Sequence, residues 1–410
     1  MIYLDNAATT PLAPEVLEAM RPFLEGEFGN ASSVYRLGSR ARVALEEARE
    51  VIARAIHAEP REIVFTSGGT EANNAAIKGA LFKHYADHFS GKPWSDLQVL
   101  TSPVEHHAVL EPMEWIAKLG ASVTYVPVSP FGRVLLESVS ERLSSETALV
   151  SLMMVNNETG AINPVSEISN IVKSKSKALI HSDAVHALGK IPIDVKELGI
   201  DFISLSAHKI HGPKGIGALY IKSGTPWEPL LHGGPQERNR RGGTEPVALA
   251  VGFAEAVKMA AKNLDRVDDI GRLRKYLLNK LGEIPEVVFN SGFDDSSIDS
   301  IINFSFIPEV LARLDADALI IRFDLEGIAV SNGSACTSGS QQPSHVLLAM
   351  GKSKEVAAKS VRASFSRYNT VADIDRLIEA VKKILASLSA GHRTHGTHWS
   401  NAAKRRGIAN

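Results

Sequence analysis

Phe202-Ile203-Ser204-Leu205-Ser206-Ala207-His208-Lys209 is the stretch that decides how this chain folds and where its chemistry lies. Its apolar first half predicts a short buried strand. The glycine-rich run that follows, Gly212–Gly217, is incompatible with a helix and lets backbone approach a ligand closely. A lysine held between these segments is partly desolvated, and desolvation shifts an amine towards its neutral, nucleophilic form. The alternative is that Lys209 is an ordinary solvated lysine at a strand end.

A second predicted strand ends in a carboxylate. The run Ala178–Asp183 is apolar at its start and places Asp183 at its C-terminal end. In parallel α/β sheets, ligands bind outside the carboxyl ends of the strands, so Asp183 and Lys209 are expected at one edge of the sheet. Pyridoxal phosphate (PLP) needs an amine for a Schiff base and a carboxylate that keeps its pyridinium nitrogen protonated. The two residues together therefore predict a PLP site.

Further motifs resemble, in the same order along the chain, those of the PLP-dependent cysteine desulfurases of the class V aminotransferase family. Besides the two segments above, they are Met1–Thr10, Thr66–Glu71, Glu105-His106, Asn156–Gly160 and Gly333–Ser338. The last is similar to the branch whose catalytic cysteine lies on a longer mobile loop. The resemblance runs from Met1 to about residue 389. It implies an α/β protein of PLP-dependent transferase fold type I, with a mostly parallel seven-stranded sheet in a large domain and a smaller α+β domain.

The composition is that of a soluble globular protein. The 410 residues carry a net charge of −1 and include one cysteine. Near neutrality argues against nucleic acid as a direct partner, and no apolar run approaches the ~20 residues that span a bilayer. A single cysteine excludes intramolecular disulfides and cysteine-cluster metal sites. Because the resemblance begins at Met1, no signal peptide is expected, and the cytoplasm is the expected location.

The pattern of predicted elements divides the chain. Alternating strands and helices in the first part predict a mostly parallel sheet with helices on both faces. Past Val247, long helical stretches and a few strands are typical of a smaller α+β domain, in which one helix is expected around Glu309–Leu325. We expect a large PLP-binding domain over 15–262, a small domain made of 1–14 and 263–389 that carries the cysteine loop, and a disordered tail over 390–410.

Several residues are expected to bind the phosphate of PLP. Gly68-Gly69-Thr70 follows a strand and opens a helix, and the N-terminus of a helix suits a phosphate. The resemblance implies that Gly69, Thr70, Ser206 and His208 contact this phosphate. It also implies that Thr244 reaches the phosphate of the neighbouring subunit, and therefore a homodimer with shared active sites.

Other residues are expected around the ring and the substrate. The resemblance implies that His106 stacks on the pyridine ring, where an imidazole can also move protons. It implies that Asn157 donates to the phenolate oxygen of PLP and faces the substrate. Arg362, in Val361–Ser364, resembles the arginine that binds the substrate carboxylate. A guanidinium can donate two parallel hydrogen bonds to a carboxylate. Without the resemblance, Arg362 would be taken as an edge-strand arginine.

One residue departs from the family pattern. Three residues after the strand aspartate, the related desulfurases usually carry a glutamine whose amide donates to the phenolate oxygen, whereas this chain carries His186. An imidazole N–H can replace the amide donor, and such a histidine is expected to titrate between about pH 5 and 8. The alternative is that His186 merely packs at the turn after the strand.

The implied reaction converts L-cysteine to L-alanine. Lys209 holds PLP and removes the Cα proton, and the thiolate of Cys336 takes the substrate sulfur as a persulfide. Cys336 lies in a Ser/Gly/Thr-rich run that predicts a mobile surface loop, which fits a sulfur atom that must travel to an acceptor. We expect a sulfur-acceptor or iron–sulfur scaffold protein as partner, in iron–sulfur cluster assembly or tRNA thiolation. No resident metal is expected; a transient iron–sulfur ligand role for Cys336 stays open.

Two alternatives stay open at this point. Another PLP enzyme of fold type I, such as an aminotransferase or a selenocysteine lyase, is the nearest one, and an aminotransferase needs no cysteine. A non-catalytic platform for sulfur-acceptor partners is the other, and it would need none of the residues Lys209, Asp183, His106 and Cys336.

Overall fold

A central seven-stranded sheet organises the first two thirds of the chain. The computed structural model describes residues 1–88, 93–264, 267–333 and 342–403, and for 263–268 and 389–403 at most the backbone. The strands in these ranges are β1 (Ile2–Tyr3), β2 (Ile63–Thr66), β3 (Gln98–Thr101), β4 (Ser122–Tyr125), β5 (Thr147–Ser151), β6 (Leu179–Asp183), β7 (Phe202–Ser206), β8 (Gly217–Ile221), β9 (Val287–Phe289), β10 (Ile301–Phe306), β11 (Ile328–Ala329) and β12 (Val361–Ser364).

The large sheet has the order β2-β8-β7-β6-β5-β3-β4, and only β8 runs antiparallel to its neighbours. The predicted fold class, a mostly parallel seven-stranded sheet in an α/β protein, is therefore confirmed. The sequence prediction did not include β8, because its five residues follow a glycine-rich turn and carry little periodicity. A second, antiparallel sheet has the order β12-β10-β9, and β1 pairs in parallel with β11.

Helices cover the large sheet and surround the small one. The α-helices are α1 (Pro14–Glu25), α2 (Arg36–Ala55), α3 (Gly69–His88), α4 (His107–Lys118), α5 (Leu136–Arg142), α6 (Val165–Lys175), α7 (Val195–Leu198), α8 (Gln236–Asn239), α9 (Val247–Leu264), α10 (Val267–Gly282), α11 (Pro308–Leu311), α12 (Ala316–Leu325), α13 (His345–Ala349), α14 (Lys354–Ala358) and α15 (Val371–Ala403). None of the described helices is long and apolar enough to cross a membrane.

Strand β7 shows why this sheet forms. All five of its residues are buried, as expected for a parallel strand that is covered on both faces. Because side chains alternate along a strand, Phe202 packs in the core beneath α3 and α4, whereas Ile203 and Leu205 pack in the opposite core with α2 and α9. The strand is thereby fixed in register, and its C-terminal residue Ser206 opens onto the edge where the chemistry was expected.

The small sheet has a core of its own, built from Phe304, Phe323 and Leu377 on β10, α12 and α15. Leu4 packs in this second core, while Ala13 packs in the first. The N-terminal segment thus joins the two parts of the molecule, and it passes Lys209 on the way. The domain limits themselves stay a prediction.

Two elements differ from the sequence prediction. The helix expected around Glu309–Leu325 is divided into α11 and α12, because Asp315 caps a new helix by accepting from the backbone N–H groups of Asp317 and Ala318. Helix α15 continues to Ala403, although the segment from residue 390 was predicted to be a disordered tail. Extension of a helix that has already formed costs much less than starting one, so weak local signals suffice there. Residues 404–410 lie outside the described residues.

Candidate active site

The predicted residues converge on one cavity at the carboxyl ends of β6 and β7. The cavity has a volume of about 200 Å³. A second cavity of about 330 Å³ shares lining residues with it and reaches Ser331 and Gly333, which precede the segment that contains Cys336. Both are lined by His106, Asn157, His186 and Lys209. The first adds Gly69, Thr70, Asn73, Asp183, Ser206 and His208, and the second adds Asp5, Glu158, Arg362, Ser331 and Gly333.

Lys209 lies at the end of a short 3₁₀ turn, Ala207–Lys209, that directly follows β7. Its Nζ donates to the backbone carbonyl oxygens of Ala7 and Ala8, at 2.6 and 2.7 Å. Burial, with the nearby positive charge of Arg362, lowers the pKa of Lys209 to about 8. The predicted shift of this amine towards its neutral form is therefore confirmed, and the alternative of a solvated lysine is wrong.

Asp183 ends β6, as predicted, and is 5% exposed. Its Oδ1 accepts from the backbone N–H of Val185 at 3.0 Å, and its Oδ2 accepts from the Asn73 amide at 2.7 Å. These bonds fix the carboxylate at the floor of the cavity. Sequence reasoning missed Asn73, although a signal existed: it lies three residues after Thr70 on the same helix, and side chains at that spacing share a face.

His106 is the N-cap of α4, and its Nδ1 accepts from the backbone N–H of Ala108 at 3.0 Å. Burial lowers the pKa of His106, so its neutral form, with the proton on Nε2, is favoured. The preceding residue, Glu105, is fully buried and accepts from the Ser102 hydroxyl and the Met153 N–H at 2.7 and 2.9 Å. Burial raises the pKa of Glu105 to about 8. The backbone that positions the His106 ring is thus firmly held.

The start of α3 forms a cradle for a small anionic group. A Cβ added at Gly69 would lie 2.7 Å from Cγ2 of Val185 and 3.7 Å from Cβ of Ser206, so only glycine fits there. His208 also lines the cavity, and its Nδ1 lies 3.1 Å from the Thr9 hydroxyl. Burial and the positive charge of Lys209 lower the pKa of His208 to about 4. The helix N-terminus and these side chains supply hydrogen-bond donors in one place.

Asn157 and His186 both line the two cavities. Oδ1 of Asn157 is buried and has no hydrogen-bond partner within the described residues. Burial, and then the positive charge of Lys190, lowers the pKa of His186 well below its ordinary value. The prediction that His186 titrates between about pH 5 and 8 is therefore wrong for this environment, because the sequence did not reveal how deeply the ring is buried among positive charges.

Arg362 lies on β12 at the border of the second cavity and is 4% exposed. Its Nη1 donates to the backbone oxygen of Asn157, and its Nη2 donates to Oδ1 of Asp5, both at 2.9 Å. Its buried Nε has no partner within the described residues. Asp5, which sequence reasoning did not single out, belongs to the N-terminal motif and orients this guanidinium.

Two further predicted site residues, Thr244 and Cys336, are not among the described residues that line these cavities. Thr244 is exposed and lines neither of them. Cys336 lies in 334–341, outside the described residues, so its placement stays a prediction. The described residue before this segment, Gly333, lines the second cavity, where a Cβ would lie 2.6 Å from Oε2 of Glu158. The chain enters the cysteine-containing segment from the cavity itself.

The cavity fits PLP on the properties of its own side chains. Within the described residues, the buried amide oxygen of Asn157 and the buried Nε of Arg362 lack hydrogen-bond partners, which is costly unless a bound molecule satisfies them. An amine with a lowered pKa faces the same space as a fixed carboxylate, as the cofactor requires. A Cβ at Gly69 would run into Val185, so the backbone at the start of α3 carries no side chain there and its N–H groups can face a phosphate.

Comparison with known proteins agrees with this geometry. The family model for class-V aminotransferases matches residues 2–377. Among curated proteins, the chain is 45% identical over 388 residues to the cysteine desulfurase IscS of Dictyoglomus turgidum, covering 94% of this chain and 95% of the relative. It is 42% identical to the cysteine desulfurase IscS of Methanosarcina thermophila, covering 94% and 92%. Among solved structures, a NifS-like protein matches with a TM-score of 0.84 and 36% identity, covering 95% of this chain and 99% of that one.

Proposed function

This chain belongs to the class-V aminotransferase family and is a PLP-dependent cysteine desulfurase, and on that premise we propose which of its residues perform the reaction. The observation that carries the assignment is the position of Lys209 in a cavity shared with Asp183, His106 and Asn157. When bound, PLP supplies an electron sink that makes the Cα proton of an amino-acid substrate acidic. The residues of the protein must bind and orient the substrate, move a proton and receive the sulfur.

Lys209 is the residue we assign to the proton on Cα. An amine with a pKa of about 8 is neutral in a useful fraction of molecules near neutral pH, and it can therefore accept a proton. The two backbone carbonyls that its Nζ contacts, those of Ala7 and Ala8, keep the amine in place when it is released from the cofactor. Proton transfer in the opposite direction, to the carbon that becomes the methyl group of alanine, can use the same amine.

The residues that would hold the cofactor line the first cavity. Asp183, whose Oδ2 is fixed by the Asn73 amide and whose side chain borders the cavity, would accept a hydrogen bond from the protonated ring nitrogen. The neutral ring of His106 would stack on the pyridine ring, and N–H groups of Asn157 and His186 would donate to the phenolate oxygen. The phosphate would be bound by the start of α3, by the last residue of β7 and by the turn that follows it. These phosphate ligands are Gly69, Thr70, Ser206 and His208.

Arg362 binds the carboxylate of L-cysteine. A guanidinium has five N–H donors, and only two of its nitrogen atoms have partners within the described residues. Asp5 holds the guanidinium plane, and the unpartnered Nε remains for the substrate. Asn157 borders the same space and contributes its backbone oxygen to the position of Arg362.

The sulfur acceptor within the protein is Cys336. Its thiolate attacks the substrate sulfur, a bond forms between the two sulfur atoms, and the Cβ–S bond of the substrate breaks. The product on the protein is a persulfide, and the carbon fragment leaves as L-alanine after protonation. Gly333, which lines the cavity just before the segment that contains Cys336, supports this role.

The protein acts as a homodimer in the cytoplasm and passes its sulfur to an acceptor or scaffold protein for iron–sulfur cluster assembly or tRNA thiolation. Thr244 supports the dimer, because an exposed residue outside its own cavity is free to reach the phosphate of a second subunit.

The test is a product assay on purified protein. L-cysteine should give alanine and sulfide in equal amounts when a reducing thiol is present, and the protein should be yellow. An aminotransferase would instead need an added 2-oxo acid and form a keto product. Equal turnover by a Cys336→Ala variant in the absence of added thiol would overturn the role assigned to this cysteine.

A further inference from the structure

Lys190 is a half-buried lysine that the mechanism above does not use. It follows Gly189, whose positive φ of 70° and close approach to Ala260 allow no side chain, since a Cβ there would lie 2.6 Å from the Ala260 Cβ. This glycine closes the turn after β6 and directs the next residue inward. Lys190 then lines a small cavity together with Lys209. The backbone thus fixes Lys190 behind the site of the reaction.

The hydrogen-bond partner of Lys190 within the described residues is His186. Its Nζ lies 3.5 Å from Nδ1 of His186, four residues earlier on the same turn. Within the described residues no carboxylate forms an ion pair with Lys190. The charged groups that act on it are Lys209 and Arg362, both positive, and His208 and His211 also sense its charge. Lys190 therefore has no structural ion pair to explain its burial.

The contact decides which ring nitrogen of His186 carries the proton. In its ammonium form Lys190 can only donate a hydrogen bond, so Nδ1 of His186 accepts from it whenever the amine is protonated. The proton of the neutral ring is then on Nε2, which has no hydrogen-bond partner within the described residues, while the ring lines the cavity. A positive charge beside Nδ1 also disfavours a second proton on the ring. The imidazole is thus a neutral ring with a single donor.

We propose that Lys190 is a positioning residue that fixes the tautomer and orientation of His186, so that Nε2–H donates to the phenolate oxygen of the cofactor. This inference rests on the proposed contact between His186 and PLP. It explains how a histidine can serve where the related enzymes carry an amide. An amide group offers an N–H whatever its neighbour does, whereas an imidazole offers one only if the other nitrogen is held as an acceptor.

The test is a double-mutant cycle on the full-length protein, read out by the dissociation constant of PLP and by the visible absorption of the bound cofactor. Lys190→Met keeps the length of the side chain and removes the donor. It should weaken PLP binding about tenfold, as expected for one lost hydrogen bond, and should shift the absorption. In a His186→Ala background the same substitution should change neither quantity by more than about twofold. Lys190→Arg, which keeps a donor, should stay close to wild type.

The outcomes separate this inference from the proposed function. If His186→Ala leaves the affinity and spectrum unchanged, His186 does not contact the cofactor and the proposed role fails with the inference. If His186→Ala changes the PLP affinity or the spectrum but Lys190→Met changes neither, only the inference is refuted. An equal effect of Lys190→Met in both backgrounds would show that the lysine acts through its charge alone. The apoprotein gives an independent readout: nitrogen-15 spectra of labelled histidines should show His186 protonated on Nε2 in wild type and mixed in Lys190→Met.

Discussion

Substitution of Gly69 by alanine tests whether the cradle at the start of α3 holds the cofactor phosphate. The added Cβ would lie 2.7 Å from Cγ2 of Val185, a separation that real Cβ atoms do not show. To reach an ordinary contact of about 3.7 Å, the two segments must separate by ~1 Å. Val185 cannot move freely, because its backbone N–H donates to Asp183. The shift therefore displaces both the phosphate site and the carboxylate below the ring.

Gly69→Ala is expected to lower both the stability of the apoprotein and its affinity for PLP. Overpacking costs about 1–3 kcal/mol, but alanine recovers about 0.4–1 kcal/mol through the entropy of the unfolded chain. The free energy of unfolding of the apoprotein should thus fall by no more than about 2.6 kcal/mol. PLP affinity should fall further, by about 10- to 100-fold, since several short contacts to one phosphate are misplaced together. A fluorescence or absorbance titration with PLP measures this directly, and urea unfolding of the apoprotein measures stability.

Two variants make this prediction refutable. Gly282→Ala adds the same methyl group at the end of α10, where nothing lies within 4 Å of the new atom, and PLP affinity should not change. Val185→Ala removes the atom that clashes, so Gly69→Ala/Val185→Ala should bind PLP more tightly than Gly69→Ala alone. Wild-type affinity in Gly69→Ala, or no recovery in the double variant, would show that the cradle is not the phosphate site.

The other predictions concern Lys209, Arg362 and His181. Lys209→Ala should lose turnover, and borohydride should no longer fix PLP covalently to the protein; covalent fixation in this variant would place the Schiff-base lysine elsewhere. Arg362→Lys should lower kcat/KM for L-cysteine by about 10- to 100-fold, because the fork to the carboxylate is lost, while the visible spectrum stays unchanged; an unaltered kcat/KM would refute the assignment. Burial lowers the pKa of His181 to about 3, so stability should be lost as pH falls from about 6.5 towards 3, by up to ~5 kcal/mol. His181→Gln should flatten this pH dependence in urea unfolding, and an unchanged slope would count against it.

The sequence predicted the parts of the site that depend on strand ends and glycine. Asp183 and Lys209 follow apolar runs, and their positions at the carboxyl edge of a parallel sheet follow from the topology of such sheets. Gly69 was predictable for a similar reason, since a glycine between a strand and a helix marks a close backbone approach. These signals are local, and a single sequence carries them.

The remaining contacts come from residues far apart in the chain. Asp5 reaches Arg362 across 357 positions, and only the pairing of the N-terminal segment with the small sheet brings them together. The local pattern around Asp5 carries no trace of that partner. The division between α11 and α12 was missed for a different reason, because the apolar period continues across Asp315 although its side chain starts a second helix there.

His186 shows how burial changes a chemical expectation. From the sequence, a histidine near a cofactor is expected to titrate near neutral pH, since that is its ordinary range. Its environment combines burial with the charges of Lys190, Lys209 and Arg362, and all of these disfavour the imidazolium. The ring therefore acts as a neutral donor over the working range of the enzyme. A proton-linked change in the cofactor spectrum near neutral pH would have to arise from a neighbouring amine, and Lys190, whose pKa is lowered to about 7, is the group placed to produce it. A spectral transition near pH 7 that disappears in Lys190→Met, and also in His186→Gln because the coupling runs through His186, would establish that origin.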